Sequence, residues 1–414
     1  LNKLFMKKIS LIALGLVAGL SASAQPDVVK NVEKLVKSKD YTAALEAVKP
    51  ALTNPQTSGT AAPWYLAGKA CIGIWDDGEI AAITPGNTVT PEDQVRNAKA
   101  LIDAYNYFVK ALPLDSLPDE KGKVKPKYSK EIKKIIGENY HKYQTAGLNL
   151  YNAQNYADAY NVWDLYTNLP SNGYADQKAY TVDPDTIVGE LTYYQSLAAY
   201  FNKDMKNALA CVNRALAKGY KNKNVYIVGM DAAGQLNDQA TATALAKEGN
   251  KSYGAEDISF LATLINAELQ KDNYPACYEA IDESFAIAAN DSIKSQLYNI
   301  KGIINERENK IDEAMANLEQ SLKLNPGNAK TYYDMGRLVQ NGVAAKEDTA
   351  DEATRTNVLI PEIKKAIEYY EKAYELNPEM SEIPNLIYRL YYGLDQNYHA
   401  GPEYAAKAEE WKNK

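Results

Sequence analysis

Small and apolar positions recur along this chain at fixed spacings, and the helices that carry them close on the same words. In "YNIKGIINERENKIDEAMANLEQSLKLNP", residues 298–326, Gly302 precedes Ala314 by 12 and Ala314 precedes Pro326 by 12. "SLKLNPGN" at 321–328 and "AYELNPEM" at 373–380 each run helix-forming residues into Leu-Asn-Pro. Pro has no N–H to continue the ladder and clashes with the preceding turn, so both segments read as helix ends. Tyr332 follows Tyr298 by 34 and Gly336 follows Gly302 by 34, whereas Ala366 follows Ala314 by 52 and Pro378 follows Pro326 by 52. The excess of 18 falls between Gly336 and Ala366, where "NGVAAKEDTADEATRTN" is charged, threonine-rich and without an apolar stripe. The spacing predicts a helical unit that recurs with a period of 34, interrupted near 341–358 by an inserted loop.

A second signature ties distant segments together. "KDY" at 39–41, "QNY" at 154–156, "DNY" at 272–274 and "QNY" at 396–398 each precede a small residue by three, namely Ala44, Ala159, Cys277 and Gly401. Asp or Asn suits a turn and a helix start, because its side chain accepts from free backbone N–H groups. Each tripeptide is expected to open the second helix of a pair.

A period of 34 with an aromatic, a Gly, an Ala and a closing Pro resembles the tetratricopeptide repeat. That family builds two antiparallel helices, A and B, per repeat, and small residues let them approach closely. The resemblance recurs imperfectly along the chain. Tyr41, Ala44, Val48 and Ala51 fit a first B helix, with 27–38 as its A helix. Trp64, Ala67, Gly68 and Cys71 fit the next A helix and Ala104, Phe108 and Ala111 its B helix. Gly68 to Ala104 is 36 instead of 12, which implies a second insertion near 76–98. Gly147, Tyr156, Ala159, Trp163 and Pro170 give a third unit, and Ser196, Ala208, Val212 and Ala215 a fourth. Residues 225–249 fit a fifth poorly, 258–288 a sixth, the Leu-Asn-Pro pair the seventh and eighth, and 383–411 a ninth whose polar last helix would cap the stack. The resemblance implies an all-α fold: an α-solenoid of about nine degenerate hairpins over 25–414.

The N-terminus reads differently. "MKKISLIALGLVAGLSASAQ" begins at Met6 with Lys7 and Lys8, continues with a 12-residue apolar run from Ile9 to Leu20, and reaches Ala22-Ser23-Ala24. This is the layout of a cleaved secretory signal peptide, 1–24, with Leu1–Phe5 as an upstream extension. No Cys precedes Cys71, so a lipoprotein anchor is not expected. An ending in Ala-Gln with abundant Tyr, Asn and Lys looks like Bacteroidota secretory proteins, and the expected compartment is the periplasm. Residues 1–24 hold three Lys and no acid, so the net charge of −7 becomes −10 without them. That charge disfavours nonspecific binding to nucleic acid or to anionic lipid, and no later stretch is apolar enough for membrane insertion. The 32 Tyr against 5 Phe indicate many half-buried positions that want aromatic bulk with a polar tip.

Chemistry-bearing patterns are sparse. The two His, His141 and His399, lack partners at metal-ligand spacing, and His141 is expected on an A helix. Cys71, Cys211 and Cys277 are an odd number at wide spacing and read as free buried thiols. Nucleophile-elbow, phosphate-loop and dinucleotide fingerprints do not occur. No enzyme and no cofactor are expected. In the family that the repeats resemble, positions 2, 5, 9 and 12 of helix A face a partner-binding groove. Carried over, position 5 gives Asn299, Tyr333 and Asn385, and position 9 gives Arg337 and Arg389, with Ile303 in the earlier unit. The chaperone-tail clamp of some members is not matched, because Ile303 and Asp334 stand where it uses Asn and a basic residue. Either the two guanidiniums receive a carboxylate-bearing partner or they pair with neighbouring acids such as Glu382. The implied function is a scaffold or adaptor that binds peptide segments of envelope proteins. The alternative is a carbohydrate-binding envelope protein, with Tyr faces stacking on sugar rings.

Overall fold

A computed structural model describes residues 25–118, 121–412 and 414. The signal-peptide expectation for 1–24 lies outside the described residues. Among the described residues there are nineteen helices of two turns or more and a single isolated β-bridge, Pro118 with Val124. The fold is an all-α solenoid of antiparallel hairpins, each helix packing mainly on its neighbours in the chain. The described residues divide into two compact units, one up to Leu236 and one from Asn237 onward. The division falls inside the fifth repeat, where the sequence pattern is weakest.

The first unit holds α1 (Gln25–Lys37), α2 (Tyr41–Thr53), α3 (Ala61–Ile83), α4 (Pro91–Asp115), α5 (Ser129–Glu138), α6 (Lys142–Asn152), α7 (Tyr156–Asn172), α8 (Asp185–Phe201), α9 (Met205–Ala217) and α10 (Lys223–Gln235). The second holds α11 (Gln239–Tyr253), α12 (Ser259–Leu269), α13 (Tyr274–Ile287), α14 (Asp291–Arg307), α15 (Ile311–Leu324), α16 (Ala329–Glu347), α17 (Ile360–Leu376), α18 (Ile383–Gln396) and α19 (Glu403–Trp411).

The small-residue positions do what the repeat requires. Ala44, Ala104, Ala159, Ala208, Ala314 and Ala366 are fully buried where A and B helices meet. Gly336 on α16 faces the Tyr370 ring of α17, and a Cβ there would lie 2.9 Å from it. The A-to-B turns explain the recurring tripeptides. Lys39, Gln154 and Asp272 adopt left-handed backbone at φ 62°, 61° and 53°, which reverses the chain. Asp40 then caps α2, accepting from the Ala43 N–H at 3.2 Å. The fourth tripeptide departs from this. Gln396 ends α18, Tyr398 lies in the turn with its hydroxyl on Glu347 at 2.7 Å, and the next helix starts only at Glu403.

Both insertions differ from the expected loops. The first lengthens its hairpin: α3 runs to Ile83 and α4 starts at Pro91, leaving only 84–90 as the turn. Thr90 and Asp93 form a reciprocal capping box that starts α4 there. Trp75 and Ala98 are buried between the extended arms. The second extends α16 to Glu347, and the chain returns through a short turn at Glu352–Thr354 and a π turn at Arg355–Leu359 that runs directly into α17. Val343 and Leu359 are buried, and Lys346 reaches Glu362 at 3.1 Å. A few interhelical contacts hold these segments helical without a full apolar stripe. Shortening either one would remove helix, not loop. His141 likewise lies in the turn between α5 and α6 instead of on a helix, with Nδ1 3.1 Å from Asp183 Oδ2. The three cysteines are free and buried.

Candidate partner-binding face

The five residues singled out by repeat position lie on α14, α16 and α18 of the second unit. The structure sorts them into a tied set and an open set. Asn299 on α14 is buried, and its Nδ2 donates to Asp334 Oδ2 at 2.9 Å. Asp334 is only 2% exposed and also receives Lys330 Nζ at 3.3 Å and Arg337 Nη2 at 3.4 Å. Arg337 grips Glu306 of α14 with two parallel bonds, Nη1 to Oε1 at 3.0 Å and Nη2 to Oε2 at 2.7 Å. Asn341 donates to the same Glu306 Oε1 at 3.0 Å. Burial works against the Arg337 charge, but Glu306 and Asp334 outweigh it and hold the guanidinium above its ordinary pKa. Arg337 therefore ties α16 to α14 through Glu306, and its neighbour Asp334 on the same helix reaches α14 through Asn299. The sequence expectation had named Glu382 as an acid it would meet.

Tyr333 is half-buried, with its ring centroid 5.7 Å from that of Tyr370. Burial, and then the charge of Glu382, raise its hydroxyl pKa. The remaining two residues are open. Asn385 and Arg389 on α18 are exposed, and neither has a hydrogen-bond or ion-pair partner among the described residues. Arg389 borders a pocket of 170 Å³ whose walls include Gln340, Val343, Glu347, Leu390 and Tyr398. Gln340 lies one helical turn beyond Arg337, and its Oε1 accepts from the Tyr370 hydroxyl at 2.8 Å. Burial, with the adjacent Glu347 charge, pushes the Tyr398 hydroxyl up to about 12, so it stays a neutral donor fastened to Glu347. Tyr392, one turn past Arg389, is 50% exposed. The open set thus offers one free guanidinium, one free amide and an aromatic face beside a concavity.

Sequence reasoning missed the Asp334 hub and the Glu306 bridge. Their signal is an acid at position 12 of one A helix and an Arg at position 9 of the next, a long-range pairing that no helical or turn period marks. It also missed a larger pocket of 620 Å³ in the first unit, bordered by Tyr41, Tyr65, Lys69, Tyr128 and Glu131. Much of that lining is already engaged: Tyr65 stacks on Tyr128 at 4.4 Å, and Lys69 pairs with Glu131 at 3.2 Å. No group of three or more His, Cys, Asp or Glu among the described residues is arranged to hold a metal. No helix among them is long and apolar enough to cross a membrane.

A family profile agrees with the repeat geometry in part of the second unit. The tetratricopeptide-repeat family profile matches residues 295–328 and 362–380, which cover most of α14, all of α15 and most of α17. A search of curated proteins finds no match. Among solved structures, the human IFIT1 dimer with m7Gppp-AAAA is 14% identical, with a TM-score of 0.37 over 82% of this chain and 71% of that one. YrrB, described as a TPR protein with an unusual peptide-binding site, is 16% identical with a TM-score of 0.30, over 47% of this chain and 90% of its own. A TPR-repeat protein of Bacteroides fragilis, BF2334, is 19% identical with a TM-score of 0.29, over 61% and 97%. The two profile matches, with the hairpins and the buried small residues that they cover, show tetratricopeptide repeats in the second unit at 295–328 and 362–380.

Proposed function

We propose that this protein is an exported, non-enzymatic adaptor of the periplasm, and that α18 of its second unit holds a carboxylate-bearing segment of a protein partner. The observation that carries the reading is the unpaired guanidinium of Arg389 beside its pocket. An exposed Arg with a free planar fork accepts a carboxylate with two charge-assisted bonds. Asn385, one turn earlier on the same helix face, adds a neutral donor and acceptor. Tyr392 supplies flat apolar area. Arg337 supports this face by fixing α14 against α16 and does not itself receive the partner. Because the contact is exposed, binding should weaken as salt rises.

The test is affinity capture from an envelope extract with the wild-type chain and with Arg389→Ala. The expected result is a protein partner retained by the wild type, released by salt and lost with the variant. Equal capture by both would overturn the assignment of this site. Cell fractionation tests the compartment separately, and recovery with cytoplasmic markers would contradict export.

A further inference from the structure

An independent feature of the first unit carries a second interaction surface. From the loop after α4 into the first turns of α5 the chain reads "KGKVKPKYSKEIKK", residues 121–134, with seven Lys against one Glu in a protein of net charge −7. Asp119 and Glu120 precede it, and Lys121 and Lys123 already have partners. Lys125, Lys130 and Lys133 have side chains with no partner among the described residues, and all three are exposed. The segment is shaped as well as charged. Pro118 bridges Val124, Gly122 turns the chain at φ 72°, and Leu117 and Val124 stand 57% and 55% exposed.

The base of this loop is fastened from within. Asp115, 9% exposed at the end of α4, accepts from the backbone N–H groups of Lys127 at 2.9 Å, Tyr128 at 2.9 Å and Ser129 at 2.7 Å. It also accepts from the Ser129 hydroxyl at 2.7 Å. The N-terminus of α5 is therefore already occupied by a carboxylate of the chain. Lys125, Lys130 and Lys133 and the two exposed apolar residues remain to meet a partner.

We infer that the 121–134 segment, together with Leu117, docks the first unit on an anionic lipid surface, its lysines at the headgroups and Leu117 and Val124 at the boundary of the acyl region. Lysines interleaved with exposed aliphatic side chains match that surface, because charge attracts and apolar burial retains. Stronger retention by an acidic polypeptide than by anionic lipid vesicles would assign the surface to a protein partner instead. Within the stretch and just before it, seven Lys outnumber Asp119, Glu120 and Glu131, and the more distant acids do not cancel the attraction. At physiological salt, exposed charges further off than about 8 Å are largely screened.

The test is flotation of the full chain with vesicles of phosphatidylcholine, with and without phosphatidylglycerol, at low and high salt. Binding is expected only with phosphatidylglycerol and should fall at high salt. Replacing Lys125, Lys130 and Lys133 by Gln should weaken it by roughly fivefold per lysine that reaches the surface. Leu117→Ser with Val124→Ser, which leaves the charge unchanged, should weaken it by about tenfold. Arg389→Ala should bind vesicles as the wild type does, which separates this surface from the α18 site. The absence of wild-type binding to phosphatidylglycerol vesicles would overturn the inference. So would equal binding with and without phosphatidylglycerol, or vesicle binding that the two serine substitutions leave unchanged.

Discussion

Arg337 and Arg389 hold the same position in adjacent A helices, and the fold uses them in opposite ways. Arg337 is gripped at both ends of its fork by Glu306 and touches buried Asp334, while Arg389 stands exposed with no partner among the described residues. What differs is the preceding rung. The helix before Arg337 places an acid opposite it; the helix before Arg389 places Gln340 and a concavity there. Equivalent repeat positions therefore do not imply equivalent roles. Whether a polar residue is spent on the stack or left open depends on what its neighbour supplies.

The largest expected effect lies on the tied side. Arg337→Ala would leave Asp334 buried with only Asn299 and Lys330, and Glu306 with Asn341. Breaking a buried pair costs about 3–5 kcal/mol, and partial exposure of Arg337 should bring this to about 2–3 kcal/mol. A chemical denaturation midpoint equal to wild type would break the contrast with Arg389. An equal loss in the double variant Glu306→Ala with Arg337→Ala would show that the pair acts as one unit.

Asp115 extends the contrast to the first unit, because it too is spent inside the fold. Burial favours its neutral form, but the Ser129 hydroxyl and three backbone N–H groups outweigh this and hold its pKa below the ordinary value. A depressed folded pKa contributes stability above the unfolded pKa, and that contribution is lost as pH falls through the folded value. Asp115→Ala should therefore cost about 1–3 kcal/mol at neutral pH. Below about pH 4 the gap between wild type and variant should narrow. Thermal melts of both proteins across that range check the sign; a gap that widens in acid would contradict it.

The smallest expected effect is on the open side. Arg389→Ala removes an exposed side chain without a partner and should change stability by no more than about 0.5 kcal/mol. A loss as large as that of Arg337→Ala would place Arg389 in the stack as well.

Much of the architecture was legible in the sequence because tight helix contacts demand small residues at fixed intervals. Gly302, Ala314, Gly336 and Ala366 therefore mark the hairpins directly. The tripeptide before α2 was equally readable, since a reversal followed by a cap needs Lys39 and Asp40 in particular conformations. The helical character of both insertions was not readable. Their order comes from scattered contacts such as Trp75, Ala98, Val343 and Leu359, which leave no period in the sequence. The site was half legible: repeat position gave the five residues, but their division depends on Glu306, which lies a whole hairpin before Arg337 and is invisible to local pattern. The free fork of Arg389 was harder still, because availability depends on what does not stand opposite it.

The most direct measurement of the central claim is chemical. An arginine-selective dicarbonyl applied to the native protein, followed by peptide mass spectrometry, reads the accessibility of each guanidinium. Arg389 should be modified rapidly and Arg337 protected, with protection of Arg337 lost in Glu306→Ala. Equal modification of the two arginines in the wild-type protein, or faster modification of Arg337, would contradict the account.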